Sequence, residues 1–166
     1  MSEPIRIRPA TVDDARLIHR FVCELALYER EPQAVEVTPE ILAAQLASAP
    51  PPFECLIAEL GAEPAGFALF FHNYSTWKGR RGIWLEDLFV SESHRRRGVG
   101  SALFGAVSRL AVERGCGRLE WAVLDWNRPA IDFYERLGAY ALGEWSIFRL
   151  TGDALEALGR RGARRG

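Results

Sequence analysis

The stretch Arg95-Arg96-Arg97-Gly98-Val99-Gly100-Ser101 decides the reading of this chain, because it joins an apolar run, Ile83 to Val90, to a helix-periodic segment, Val99 to Val112. A helix starts with backbone N–H groups that lack intrahelical partners, and its dipole leaves partial positive charge there, so an anion is held without further machinery. Glycines at 98 and 100 keep side chains away from those amides, and three arginines add charge and forked donors. Taken alone, the stretch also fits a solvated charged turn; the strand before it and the helix after it favour phosphate. No Lys-Ser or Lys-Thr pair follows the glycines, as a nucleoside-triphosphate loop needs, and the third position of a dinucleotide fingerprint is occupied by Leu103. What remains is Arg-x-x-Gly-x-Gly.

With 166 residues, 48% of them hydrophobic and 26% charged, the chain has the size and composition of one globular domain with its own core. Residues 1–158 are read as that domain and 159–166 as a basic, disordered tail. A net charge of -1 gives no global attraction to nucleic acid or to an anionic membrane, so neither is expected as a partner. Three widely spaced cysteines, Cys23, Cys55 and Cys116, form no C-x-x-C pair and suit a reducing cytoplasm. His19, His72 and His94 lack ligand spacing, so no metal site is expected. Met1-Ser2-Glu3-Pro4 carries no targeting pattern, and no apolar run reaches membrane-spanning length, which reads as soluble and unprocessed.

Along the chain, Ile5 to Arg8 alternates as a strand, and Thr11 with Asp14 makes a capping-box pattern before a helix buried through Leu17, Ile18, Phe21, Val22 and Leu25. Thr38-Pro39-Glu40 starts a second helix through about Ala47, ended by the prolines at 50 to 52. Phe53 to Leu60 and Ala65 to Phe71 read as a hairpin, and Ile83 to Val90 as a further strand. After the helix from Val99, Leu119 to Leu124 is expected as a strand reached by a parallel crossover. Asn127 then caps a short helix carrying Pro129, and Tyr140 to Leu142 and Trp145 to Leu150 read as closing strands.

Four separated motifs fall in one order: Ile7-Arg8-Pro9-Ala10-Thr11, Leu85-Glu86-Asp87-Leu88-Phe89-Val90, the arginine-glycine loop, and Trp126-Asn127-Arg128-Pro129-Ala130-Ile131-Asp132-Phe133-Tyr134. Together they resemble the GNAT superfamily of N-acetyltransferases, and within it the diamine (spermidine/spermine) and thialysine N-acetyltransferase group, from about Ile5 to Leu150. The resemblance implies an α/β (α+β) GNAT fold, a central mixed sheet splayed where acetyl-CoA lies and flanked by helices. It implies acetyl transfer from acetyl-CoA to a small amine, a diamine, polyamine or lysine-like amino acid, by a homodimer. A non-catalytic acyl-CoA-binding or sensor domain, or acetylation of a protein or peptide amine, are the alternatives.

Carried over by position, the resemblance assigns acetyl-CoA to Leu88, Phe89 and Val90, to Arg95, Arg96, Arg97, Gly98, Val99, Gly100 and Ser101, and to Asn127, Pro129 and Ala130. It makes Tyr134 the proton donor to the departing thiolate and places Glu86 at the substrate amine as base, directly or through water. Tyr28, Glu29 and Glu144 join Glu86 as substrate-binding residues. Each position also has an ordinary structural explanation: helix packing for Tyr134, an N-cap for Asn127, and a solvated helix connection for Glu29. Glu86 and Asp87 are adjacent in a strand, and alternation sends them to opposite faces unless a bulge intervenes. Around Glu144 the pattern departs from the diamine enzymes: the loop after Gly138 is shorter and no second acid adjoins Glu144, which weakens the case for a long polyamine.

Overall fold

In the computed structural model of this chain, residues 3–163 are described. Segments between Ile5 and Glu120 pair into a five-stranded sheet in the order β1-β2-β3-β4-β5, with β1 Ile5–Pro9, β2 Glu54–Leu60, β3 Glu63–Ser75, β4 Arg80–Val90 and β5 Leu119–Glu120. β1 to β4 are antiparallel neighbours, and β5 joins β4 in parallel, as the crossover through a helix requires. Helices α1 (Ala15–Tyr28) and α2 (Pro39–Leu46) cover one face, where Ile18, Phe21 and Leu42 pack with Ile57, Phe67 and Phe89. Helix α3 (Val99–Glu113) covers the other through Val99, Leu103, Ala106, Val107 and Ala111, against Ala58, Phe70, Ile83 and Leu85. The mixed sheet with flanking helices is the architecture that the motif order implies.

The Thr11–Asp14 pattern caps α1 one turn early. A 3-10 turn, Val12–Asp14, precedes the helix, and the Thr11 N–H donates to Asp14 Oδ2 at 2.7 Å. Asp14 is buried and receives both Nη groups of Arg8 at 2.8 Å, while Arg8 Nε reaches Glu59 Oε1 at 2.7 Å. One guanidinium therefore clamps the start of α1 to β1 and β2. A second clamp joins the end of α3 to β2, where Arg114 meets both oxygens of Glu54 at 2.6 and 2.7 Å.

The chain divides into two units, Met1–Ala122 and Val123–Gly166. The second carries α4 (Arg128–Arg136) and α5 (Gly152–Ala163). Three expectations are corrected there and at its border. The strand read over Leu119 to Leu124 ends at Glu120, and Tyr140 to Leu142 and Trp145 to Leu150 are irregular, with Tyr140, Trp145 and Phe148 exposed. Apolar alternation makes a segment competent for a sheet, but a strand exists only where a neighbour exchanges backbone hydrogen bonds with it. The tail read as disordered from Gly159 runs on in α5 to Ala163; residues 164–166 lie outside the described residues.

Arg8 holds the Asp14 carboxyl below the usual carboxylate range, chiefly through their side-chain hydrogen bonds. A depressed folded-state pKa contributes stability that is present above the unfolded value and lost as pH falls through the folded one. Arg8→Ala is therefore expected to cost about 1–3 kcal/mol near neutral pH, because it leaves a buried carboxylate uncompensated. Urea unfolding should show that deficit at pH 7 and a smaller one at about pH 3.

Candidate active site

Gly98 occupies the N-cap position of α3 with φ 86, in the left-handed region that favours glycine, and no side chain caps the amides that follow. Helices α2 and α4 differ: Thr38 Oγ1 accepts from the Ile41 N–H at the start of α2, and Asn127 Oδ1 accepts from the Ala130 N–H at the start of α4. The first-turn amides of α3 thus meet no capping side chain, as a pyrophosphate site requires, and these residues fit one. Arg96, with φ 61, is exposed beside them.

The other two arginines are committed within the fold. Arg97 Nη2 pairs with Glu3 Oε2 at 2.6 Å. Arg95 Nε donates to the Val90 carbonyl at 3.1 Å, and its guanidinium carbon lies 4.7 Å from the Tyr28 ring centroid and 5.7 Å from that of Phe89. The three arginine side chains are therefore not equivalent: Arg95 and Arg97 have partners within the fold, and Arg96 is exposed.

Strand β4 supplies the second part of the site. β5 pairs with it only at Ile83↔Leu119 and Trp84↔Glu120, so among the described residues no strand accompanies that edge of β4 from Leu85 to Val90. On the opposite edge, Gly66 lets β3 approach, for a Cβ there would collide with the Phe89 carbonyl.

The register of β3 on β4 shifts between Leu69 and Phe70. Leu69 faces Asp87 and Phe70 faces Leu85, leaving Glu86 as an extra residue in β4. The consequence is visible in the cores: Ile83 and Leu85 pack with α3, whereas Phe89 packs with α1. Asp87, two residues before Phe89, takes the α1 face, and Glu86 and Glu29 both act on it electrostatically. Alternation does not separate Glu86 from Asp87, because the bulge that would cancel it is present. The bulge brings both into one acidic neighbourhood with Glu29.

Within that neighbourhood the three carboxylates differ. Glu86 is exposed and accepts a hydrogen bond from Trp84 Nε1 at 2.8 Å. Burial, followed by the charges of Glu86 and Glu29, pushes the Asp87 carboxyl up to about 7. Burial also raises Glu29, which caps the C-terminal end of α1, where the helix dipole disfavours a negative charge. A fold that keeps three acids together against desolvation and a helix dipole gains from a cation placed among them. Asp87 was not among the residues assigned a role from sequence; the adjacent acids in an apolar strand were the signal, and the missing information was the cross-strand register.

In the second unit, Asn127 is buried as the N-cap of α4, Pro129 stands in the first turn, and Tyr134 lies near the helix end with its ring 5.1 Å from that of Phe133. Burial pushes the Tyr134 hydroxyl up to about 12, so it stays a protonated donor throughout the physiological range. Glu144 is exposed in irregular chain. No group of three or more metal-ligating side chains occurs among the described residues.

Comparison with known proteins agrees with this arrangement. Residues 18–139 match the Acetyltransferase (GNAT) family. Thialysine N-epsilon-acetyltransferase of Bos taurus is 39% identical over 93% of this chain and 96% of its own length, and L-ornithine N5-acetyltransferase of Arabidopsis thaliana is 34% identical over 92% and 87%. Among solved structures, an integron cassette protein from V. cholerae superimposes with a TM-score of 0.79 at 26% identity, covering 96% of this chain and 99% of that one. A mixed sheet with an uncapped glycine-led helix start after β4, matched by the family model and over most of its length by these relatives, places the chain in the GNAT family as an acetyltransferase.

Proposed function

We propose that this enzyme transfers the acetyl group of acetyl-CoA to a primary amine of a small acceptor carrying more than one positive charge, a diamine, a short polyamine, or an ornithine- or lysine-like amino acid. The observation that carries this reading is the acidic neighbourhood of Glu29, Glu86 and Asp87 created by the β4 bulge. Relatives named for thialysine and L-ornithine support the same class of acceptor. A homodimer acting in the cytoplasm belongs to the reading on family resemblance. No described helix is long and apolar enough to cross a membrane.

Acetyl-CoA supplies an acyl carbon already activated as a thioester. The amides from Arg96 to Ser101 hold its pyrophosphate, and family resemblance assigns Asn127, Pro129 and Ala130 to the coenzyme as well. An alkyl ammonium, with a pKa of about 10.4, has no lone pair for attack. Glu86, the exposed acid, accepts its proton directly or through water, while Glu29 and Asp87 hold the remaining positive charge. A backbone N–H at the Leu88 to Val90 strand end meets the oxyanion that develops on the acyl carbonyl. Tyr134 gives its proton to the departing sulfur, which makes the thiolate a better leaving group, and regains one from solvent.

Tyr134→Phe is expected to lower kcat by about a hundredfold or more while leaving the Kd for acetyl-CoA within about twofold, as steady-state kinetics and calorimetry would read. Glu29→Gln should raise KM for a diamine by about tenfold and for a monoamine of equal length much less; equal losses would remove Glu29 from the acceptor site.

Asp87 gives a pH signature. Its folded-state pKa, about 7, is raised, so the stability it contributes is present below the unfolded value and is lost as pH rises towards and through 7. Asp87→Asn should therefore gain on the native protein in thermal unfolding midpoint as pH rises from about 5 to about 8, and saturating diamine should narrow the difference at the upper pH.

A further inference from the structure

From the position of one guanidinium we infer that Arg95 is a positioning residue that couples occupancy of the pyrophosphate loop to the acceptor side of the site. The inference rests on the reading of Tyr28 and Glu29 as acceptor-side residues. Arg95 stands at the junction of three elements. Its backbone begins the loop, its Nε donates to the carbonyl of Val90, the last residue of β4, and its guanidinium stacks over Tyr28, the last residue of α1. Glu29 follows Tyr28 directly as the cap of that helix.

The chemistry of arginine suits this post. A planar fork can donate in its plane while its face lies on an aromatic ring, which an ammonium cannot do with equal geometry. The end of α1 is also where a restraint has an effect. Arg30, next in the chain, is a non-glycine residue at φ 68, and the Glu31 N–H closes the helix end onto the Ala26 carbonyl at 2.9 Å. A helix end closed through a left-handed arginine lies at the low-stability margin of the fold, and a stack on its last aromatic steadies it.

When acetyl-CoA holds the amides from Arg96 onward, the loop and the backbone of Arg95 are ordered with them. The stacked side chain carries that order to Tyr28 and Glu29. By linkage, an acceptor held at Glu29 tightens the loop in return. Arg95 thus acts on the acceptor through Tyr28 instead of touching a phosphate, a role distinct from that of Arg96.

The test uses the whole protein with CoA as the probe, so that no turnover occurs. Amide hydrogen exchange over residues 26 to 31 is measured with and without saturating CoA, alongside the CoA Kd by calorimetry. In the native protein CoA should slow exchange in this segment severalfold. Arg95→Gln should keep the CoA Kd within about twofold and lose that protection. Tyr28→Leu should lose it as well, and Tyr28→Phe, which keeps the ring, should retain it. With L-ornithine as acceptor, Arg95→Gln should raise the acceptor KM about fivefold and leave the KM for acetyl-CoA within twofold. A loss of CoA affinity of tenfold or more in Arg95→Gln would make Arg95 a phosphate ligand and overturn the inference. Protection that is absent in the native protein, or that persists in Tyr28→Leu, would overturn it equally, and the latter variant serves if Arg95→Gln does not fold. If CoA protects residues 26 to 31 through Arg95 yet neither L-ornithine nor a diamine is acetylated, the coupling stands and the acceptor reading fails.

Discussion

The extra residue in β4 at Glu86 governs the arrangement on both faces of the sheet. Without it, Ile83, Leu85, Asp87 and Phe89 would share one face, and Phe89 could not reach Phe21 and Phe67 beneath α1 while Ile83 and Leu85 pack beneath α3. With it, the strand serves the α3 core before the bulge and the α1 core after it. The same displacement carries Asp87 into the field of Glu86 and Glu29. Bulges recur beside active sites because they re-aim side chains, and here one residue re-aims an entire strand end.

The three arginines of the loop show how a uniform sequence acquires unequal duties. Arg97 is paired with Glu3, Arg95 with the Val90 carbonyl and two aromatic rings, and Arg96 is exposed. An arginine already stacked and hydrogen-bonded would have to give up those contacts to reach an anion. Backbone amides at a helix start give up nothing, since no side chain caps α3. The uncapped amides and the partnered arginine side chains of this loop thus differ in what they have free to offer an anion. The two acid–arginine clamps, Arg8 with Asp14 and Arg114 with Glu54, work in the same manner at the first turn of α1 and the last of α3, holding the helices on the sheet that carries the site.

The acids illustrate how environment divides one residue type into several roles. Glu86 is exposed and hydrogen-bonded to an indole N–H, which suits proton exchange with an incoming ammonium. Asp87 is pushed up to about 7 by burial and like charges, so its charge depends on what lies beside it. Tyr134, raised to about 12, keeps its proton until a strong base such as a thiolate arises. Burial thus moves Asp87 and Tyr134 in the same direction and leaves each with a different protonation at neutral pH.

Local signals in the sequence were sufficient for α1, α2, α3 and α4, because caps, breakers and 3.6-residue periodicity act within a few residues of one another. They were sufficient also for the family, since motif order is a property of the chain. They were not sufficient for the extent of β5 or for residues 140 to 150, where strand-like composition meets no partner in the sheet. Nor could they place Asp87 beside Glu29, or Arg95 on Tyr28. Those facts depend on strand register and on contacts between residues about 60 positions apart, which no local propensity encodes. The sequence by itself determined that this is a GNAT acetyltransferase with a glycine-led helix start after β4. Only the tertiary structure decided which side chains share a face, because a single inserted residue in a strand reverses every facing beyond it.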